Sequence, residues 1–518
     1  MLDRTRRIIV FTVLFALLVA PATAGAKSVQ PRLSSLKSSG AKVSVSGSVK
    51  LAAKKTYKGK KLKVVVAVKP ASGKTLTKSA SIKAKKKAAT IKFKASVTVP
   101  TSGTFKISAQ LYAGKKKLGK ASKTKKLSVT VPGGGNPGAA GTAVDVGGAT
   151  SCAAVGDNLK CWGAGAGGSL GNGSSDNHPT AITSIAGISQ GIYQFSVAEG
   201  GGCQLFNGSA SCWGDNYSGE LGSGTDRSGL ASSSTPVQVV GITGGGSWIA
   251  AGGDHACAIN NAKIQCWGNN HFGQLGNGTD THSSSNEIGS STPQDVSMPD
   301  AMGTPYSVAV GGSVSCANTA TGIWCWGQNN AGQLGQGTQD FDAHNKPLHV
   351  GGVLAGIANF VNSSLSVGID HVCAQLGGHP YCWGSNQYGQ IGNSTIPTTS
   401  GFALTPVSPD GLPIDSVSVI SAGNFASCAI ALQNLKCWGL NDHGQTGTGT
   451  ISGSQGFVSA PTQVVGFERG ATSVSAGWFH TCGSLGTEVR CWGANGGGTY
   501  LGNGQTTDTG TPVAVQGL

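Results

Sequence analysis

Residues 249–279 read IAAGGDHACAINNAKIQCWGNNHFGQLGNGT, and the reading of this stretch decides the fold. Cys257 and Cys266 stand nine positions apart, and Trp267-Gly268 follows the second. The same spacing separates Cys152 and Cys161, Cys203 and Cys212, and Cys316 and Cys325. It recurs in Cys373 and Cys382, Cys428 and Cys437, and Cys482 and Cys491, which accounts for all 14 cysteines. Every second cysteine precedes Trp-Gly, at Trp162, Trp213, Trp267, Trp326, Trp383, Trp438 and Trp492. The first and last of these tryptophans lie 330 residues apart over six intervals, a mean period of 55. A recurrence of that size means stacked supersecondary units, and strand-rich units of roughly 40–50 residues make propeller blades.

The second pair shows what the spacing does. Asn207-Gly208 sits midway between Cys203 and Cys212, and Asn-Gly is the strongest two-residue hairpin signal. Folding there sets Phe206 opposite Ser209, Leu205 opposite Ala210, Gln204 opposite Ser211, and Cys203 opposite Cys212. Alternation makes the cysteines a non-hydrogen-bonded pair with Cα atoms about 4.5 Å apart, within reach of a disulfide. Gly156-Asp157, Gly377-Gly378 and Gly486-Thr487 take the same central position in other copies. Zinc sites favour shorter Cys-x2–4-Cys spacings with added ligands. The pattern therefore predicts seven hairpin disulfides, with reduced structural thiols as the alternative.

The unit quoted above resembles the repeat of the regulator of chromosome condensation family, whose members are seven-bladed β-propellers. The resemblance covers about residues 143–518. Copies vary: His255, His371 and His480 occupy one signature position, and Ala426 stands there in the sixth copy. The paired cysteines depart from the intracellular members and suit an exported one. Segments led by Pro179, Pro236, Pro293, Pro347, Pro406, Pro461 and Pro512 form a second repeating pattern. Taken as opening each unit, they leave Pro512–Leu518 with no unit after it. The C-terminal strand is then expected to complete the first blade, beside 142–163. The expected fold is all-β: a seven-bladed β-propeller closed by the C-terminal strand, preceded by a small immunoglobulin-like β-sandwich.

Charge divides the chain. Residues 1–26, with Arg4, Arg6 and Arg7 before the apolar run Ile8–Ala20 and small residues Ala22–Ala26, read as a signal peptide. That run is short of the roughly 20 residues a membrane span needs. Residues 27–131 hold 27 Lys, one Arg and no acid, in period-two alternation that predicts the sandwich. Residues 132–142 read as a Gly/Pro linker and 143–518 as the ring, which carries −14 against +28 on 27–131 and +2 on 1–26. Lys85, Lys86, Lys87, Lys115, Lys116, Lys117, Lys123, Lys125 and Lys126 are the candidate polyanion contacts. Lysine rather than arginine, with few aromatics, favours diffuse attachment over base stacking. An anionic envelope polymer, not a specific nucleic acid, is the expected partner of this segment.

Catalytic motifs fail on context. Gly167-Gly-Ser-Leu-Gly171 matches a nucleophile elbow but lies where other copies read Gly-Gln-Leu-Gly, and Gly163–Gly168 matches a dinucleotide fingerprint with no helix to follow. No catalytic set, cofactor or metal is expected. Trp248, Trp324 and Trp478 lie outside the repeat pattern and, with Tyr217, Phe272 and Tyr388 after Trp-Gly, are candidate partner contacts. Long stretches at 280–304 and 339–364 are further places for recognition. The functional expectation is an exported or envelope-associated, monomeric, non-enzymatic scaffold without a transmembrane segment, binding a protein on its propeller face. An inhibitor of an extracellular enzyme is a subtype the resemblance permits, since one exported member inhibits β-lactamases. The alternatives are guanine-nucleotide exchange on a small GTPase, implied by the resemblance, or polysaccharide binding or processing.

Overall fold

The computed structural model describes residues 143–518 apart from 156–157, 183–193, 282–288, 356, 358–362 and 399–400, and the backbone of eight strands between Val10 and Leu127. The chain divides into two compact units, Met1–Pro132 and Gly133–Leu518. Among the described residues no helix is long and apolar enough to cross a membrane.

The second unit contains seven antiparallel sheets of four strands each. Blade three is representative: an inner strand Gly246–Ala251, the hairpin His255–Asn260 and Lys263–Gly268, and an outer strand Ser290–Asp295. The first hairpin strand is buried at all six positions, because both of its faces meet neighbouring blades. Small residues suit that double burial, and Ala, Ser, Gly and Cys fill most of these positions. The hairpin register is the expected one, with Phe206 opposite Ser209 and Cys203 opposite Cys212. Asn207 and Gly208 both take positive φ, 49° and 77°, as a tight hairpin turn with the strands' twist requires.

Every expected cysteine pair is disulfide-bonded, and no reduced thiol remains. Cys152 is joined to Cys161, Cys203 to Cys212, Cys257 to Cys266 and Cys316 to Cys325. Cys373 is joined to Cys382, Cys428 to Cys437 and Cys482 to Cys491. Their Cα atoms stand 4.0–4.1 Å apart, a little closer than the 4.5 Å expected of a non-hydrogen-bonded pair. Each second cysteine, Cys161, Cys325, Cys382, Cys437 and Cys491 among them, lies on the strand that the outer strand also pairs with. The staple therefore fixes the two central strands of its sheet. The Gly156-Asp157 turn lies outside the described residues.

The blades are joined through their tryptophans. Each indole Nε1–H donates to a main-chain carbonyl in the loop of the preceding blade. Trp213 reaches Ser169, Trp267 reaches Glu220, Trp326 reaches Gln274 and Trp383 reaches Gln333, at 2.8–3.0 Å. Trp438 reaches Gln390, Trp492 reaches Gln445, and Trp162 reaches Tyr500 across the seam between the last blade and the first, at 2.9–3.0 Å. Two glycines per repeat make this possible. The glycine after each tryptophan bulges the strand; at Gly268 φ is +100° and a Cβ would lie 2.4 Å from the Asp254 carbonyl oxygen. The glycine after Leu in Gly-Gln-Leu-Gly lies under the next indole; at Gly276 φ is +64° and a Cβ would lie 2.6 Å from Trp326 Nε1.

Two expectations are corrected. The C-terminal strand Thr509–Ala514 pairs with Glu488–Gly493 in the last blade, and the first blade takes His178–Ile182 as its own outer strand. No sheet is therefore completed across the seam, and the ring is not closed by strand exchange. The proline-led segments end units instead of opening them. Each crosses a long loop to pair with the bulged Trp-Gly strand of its own hairpin, although the first six lie nearer in sequence to the next inner strand. The seam is held as other interfaces are: Val144 and Val146 N–H donate to Ser473 and Ser475 Oγ at 3.3 and 3.1 Å. The second correction concerns 27–131. No immunoglobulin-like sandwich is seen; the strands form two sheets, in the orders Val10–Thr12, Pro31–Ser39, Lys42–Leu51, Ala89–Thr98 and Leu76–Ile82, Leu62–Pro70, Gly103–Ala113, Lys116–Leu127. Alternation specifies half-buried strands but not how two sheets face each other. Lys85–Lys87 and Lys115 lie outside the described residues.

The indole contact sets a graded expectation for stability. Trp326→Phe deletes one donor and leaves the Gln274 carbonyl to the Ser315 hydroxyl alone, costing about 1–3 kcal/mol. Gly276→Ala adds backbone strain to a clash with the same indole and should cost more. Urea denaturation of the two variants checks the order, and a neutral Gly276→Ala would show that the contact does not hold the interface.

Candidate functional site: the top face of the ring

Each blade presents two connections at the same end of the ring, here the top face. One is the turn from inner strand to hairpin; the other is the loop from Trp-Gly to the outer strand. An asparagine organises six of the seven loops, blade one having Gly165 in its place. Asn270 Oδ1 accepts the Leu275 N–H at 3.0 Å while its Nδ2 donates to the Thr279 carbonyl at 2.9 Å. Asn216, Asn329, Asn386 and Asn441 make the same acceptor bond five residues on. Asn495 makes it six residues on, to Leu501, which absorbs the extra residue of the last copy. A glutamine then caps the loop: Gln274, Gln333, Gln390 and Gln445 Oε1 accept the N–H two residues earlier at 2.7–2.9 Å.

On this framework the non-repeated aromatics separate into two groups. Tyr217 is 55% exposed on its loop, with the Arg227 guanidinium 4.0 Å from the ring centroid. Phe272 is half-buried, edge-on to His271 at 4.7 Å. Tyr388 packs edge-on to Phe425 at 5.3 Å, and His443 to Phe479 at 5.7 Å. Trp478 neighbours Phe479 at the mouth of the central channel. Trp248 and Trp324 do not join them. Both are buried in one apolar cluster between blades three and four, where Trp248 Nε1 donates to the Val308 carbonyl at 2.7 Å. Residues 280–304 and 339–364 each run from the top face to the opposite end, so neither is a single loop.

Phe425 and Phe479 were missed by sequence reasoning, as were the acids. Glu199 and Asp215 meet at the top of blade two, and burial raises both carboxyls above their usual range; Asp254 and Asp215 raise Glu199 further. Glu220 stands where other loops have the capping glutamine and accepts the Tyr217 and Ser218 N–H groups at 3.0 and 2.7 Å. Burial pushes it up to about 7 against those hydrogen bonds. Only its position in the repeat, Glu for Gln, marks it in sequence.

The inner strands enclose a channel of about 150 Å³. Its wall is tied from blade to blade by side chains that accept the next strand's N–H: Ser196 from Ala251, Ser366 from Ala422, Ser421 from Ala476 and Ser475 from Val146, at 2.9–3.1 Å. Asp145 is the exception among them. Its carboxylate takes the Val197 N–H at 2.9 Å and the Ser475 hydroxyl at 2.8 Å, linking blades seven, one and two. Burial raises it to about 6. The signature histidines belong to the walls as well: His255, His371 and His480 Nε2 lie 2.7–2.8 Å from Ser315, Ser427 and Ser151 of the next blade. Ser315 and Ser427 pass their own protons to carbonyls, so His255 and His371 donate from Nε2. Among the described residues no group of three or more acids, histidines and cysteines could hold a metal ion.

Seven stapled four-stranded blades around a channel define a β-propeller scaffold. The sequence pattern of the Regulator of chromosome condensation (RCC1) repeat matches residues 207–259, 264–317, 322–375 and 437–483, and a second pattern of that repeat matches 249–274. The ring is thus a seven-bladed propeller of RCC1 repeats. The chain is 27% identical over 391 residues to the ultraviolet-B receptor UVR8 of Arabidopsis thaliana, covering 72% of this chain and 81% of the receptor. It is 26% identical over 310 residues to the human E3 ubiquitin-protein ligase HERC2, where it spans only 6% of the relative's length. The crystal structure of yeast RCC1 (Prp20) bound to Kap60 superposes with a TM-score of 0.57 at 20% identity, over 70% of this chain and 84% of that one. A second Prp20p structure, from Saccharomyces cerevisiae and described with its binding to Gsp1p and histones, gives 0.56 at 20% identity over 70% and 87%.

These likenesses overturn the expectation of a secreted, envelope-associated scaffold attached to an anionic polymer. Ubiquitin-protein ligases and a protein that binds histones belong to the cytoplasm and nucleus. Cysteine pairing and an apolar N-terminus misled because both are local features, and neither reports on what the ring resembles.

Asp145 generates a pH prediction. Its raised pKa means the folded chain holds a proton that the unfolded chain releases between pH about 4 and 6, so its contribution falls as pH rises through that window. Asp145→Ser copies the residue of four other blades and keeps an acceptor for Val197. Relative to the parent, it should gain on the order of 3 kcal/mol from pH 4 to 6 and stay level above. His255 and His480, lowered by burial to about 4 and about 3, destabilise both proteins alike as pH falls below about 6.5. Urea midpoints across pH 4–8 read the difference, and parallel curves would refute a titrating Asp145.

Proposed function

We propose that the ring is a docking module whose top face binds a protein, and that its partner is a small GTPase on which it promotes guanine-nucleotide exchange. The observation that carries this reading is where the blades differ. Their walls repeat the same indole, glycine and disulfide contacts, while the top face gathers aromatic and charged side chains that do not repeat. Tyr217, Tyr388, Trp478 and the carboxylates of Glu199 and Asp215 are of this kind. Aromatic anchors beside charged groups are the usual composition of a binding hot spot. The likeness to Prp20p, described with its binding to Gsp1p, supplies the partner class.

Exchange needs no covalent step and no catalytic residue in the chain. It requires only that the face bind the nucleotide-free GTPase more tightly than the loaded one, since a ligand shifts an equilibrium by its differential affinity. The module then works by binding alone, without cofactor or metal.

The test is release of fluorescent GDP from a small GTPase of the Gsp1p type on adding the full chain. Acceleration of at least about tenfold, some 1.4 kcal/mol of barrier, is expected. Trp478→Ala should cut the response by an order of magnitude or more while the ring keeps its melting temperature. Release at the intrinsic rate, with chain in large excess, would overturn the assignment.

A further inference from the structure

The interface between blades two and three lacks a contact that three others share. Where blades three, five and seven use histidine and their neighbours serine, this interface has Gly201 and Ala256. The backbone excludes a histidine there, because a Cβ on Gly201 would lie 2.0 Å from the Trp213 carbonyl oxygen. Other interfaces without the pair are filled in different ways: Val314 and Val372 are buried apolar residues at the fourth, and Thr481 donates to the Gln445 carbonyl at 2.9 Å at the sixth. Between blades two and three a cavity of about 20 Å³ remains, enough for one water-sized group.

Small and apolar residues form most of its lining, and three acceptor-bearing side chains stand among them. Asp215, Glu220 and His255 contribute to the wall, with the turn glycines Gly200 and Gly253 of the top face. Glu199 stands at the same turn, its carboxylate 3.5 Å from where a Cβ on Gly253 would lie. Four glutamines do the loop-capping work of Glu220 without charge, so the loop itself does not require a carboxylate. No lysine or arginine pairs with Glu199, Asp215 or Glu220 among the described residues. His255 is fully buried, its Nε2–H is committed to Ser315, and its Nδ1 has no partner.

We propose that this cavity is a socket for the ammonium group of a lysine side chain on the partner that docks to the top face. The proposal rests on the docking reading above and names one contact within it. An ammonium is a compact point charge of water size with three donors, matching a small cavity lined by carboxylates and a bare ring nitrogen. A planar guanidinium does not fit 20 Å³. The alkyl stem would pass between the glycine turns, which carry no side chain to obstruct it.

The experiment needs no GTPase, so its failure is distinct from failure of the exchange reading. Nα-acetyl-lysine methylamide is titrated into the full chain with carboxyl-labelled glutamate at constant ionic strength, and the Glu220 carboxyl shift is followed by NMR. The norleucine analogue, equal in stem but uncharged, is the control. Saturable binding of the lysine probe alone is expected. Glu220→Gln, which keeps the loop cap, should weaken it at least about tenfold. Ala256→Val places in the cavity the residue blade five already carries there, as Val372, and should abolish it. Both variants should unfold cooperatively near the parent's midpoint. Equal response to norleucine, no saturable shift with lysine, or undiminished binding to Ala256→Val would each overturn the socket.

Discussion

Seven indole N–H groups, each given to a main-chain carbonyl of the blade before it, hold the ring together. The bond is directional, and a buried indole left without an acceptor would be costly. It therefore fixes both the distance and the angle between successive blades. Everything else in the repeat serves this contact. The glycine after tryptophan lets the strand bulge and aim the ring, and the glycine after leucine clears the ground beneath it. In four loops an asparagine and a glutamine together present the accepting carbonyl in the right place, as at Asn270 and Gln274.

The same logic shows what was legible in the residues and what was not. Hairpin register was legible because a two-residue turn and a period of two leave one solution: Asn207-Gly208 dictates Cys203 opposite Cys212. Blade number followed from counting Trp-Gly. The phase of the repeat was not legible, because Pro236 lies closer in sequence to the inner strand of blade three than to the strand it pairs with. Hydrogen bonding along a bulged edge decided that, and sequence distance did not. The site was less visible still. Trp248 and Trp324 read as exposed oddities but pack into one shared cluster, since burial depends on which neighbour fills the space. Asp145 and Glu220 differ from the other copies by a single substitution each, and only their surroundings reveal their altered acidity.

Scaffold and recognition occupy different parts of the repeat. Histidine–serine links, channel serines and indoles run through the walls, where a change disturbs two blades at once. The top loops are pinned at their bases by asparagine and are free to vary at their tips. A propeller built this way can alter its partner without altering its ring. The departures from the pattern gather where blades two and three meet, around Gly201, Glu220 and Ala256.

The disulfides all lie within hairpins, nine residues apart, so no disulfide joins one blade to another and none spans the seam between the last blade and the first. Under mechanical load this matters. Tension applied between the first and last blades meets only hydrogen bonds and packing at the seam, and the ring can part there with every sulfur bridge intact. Once a blade unravels, each bridge keeps the short loop between its cysteines out of the extending chain, shortening the reach by roughly 25–30 Å per blade at about 3.3–3.6 Å per residue. The staples thus set the length of the unravelled chain and the ease of refolding each hairpin, while the indoles, with the other hydrogen bonds and packing between blades, set the force at which blades separate.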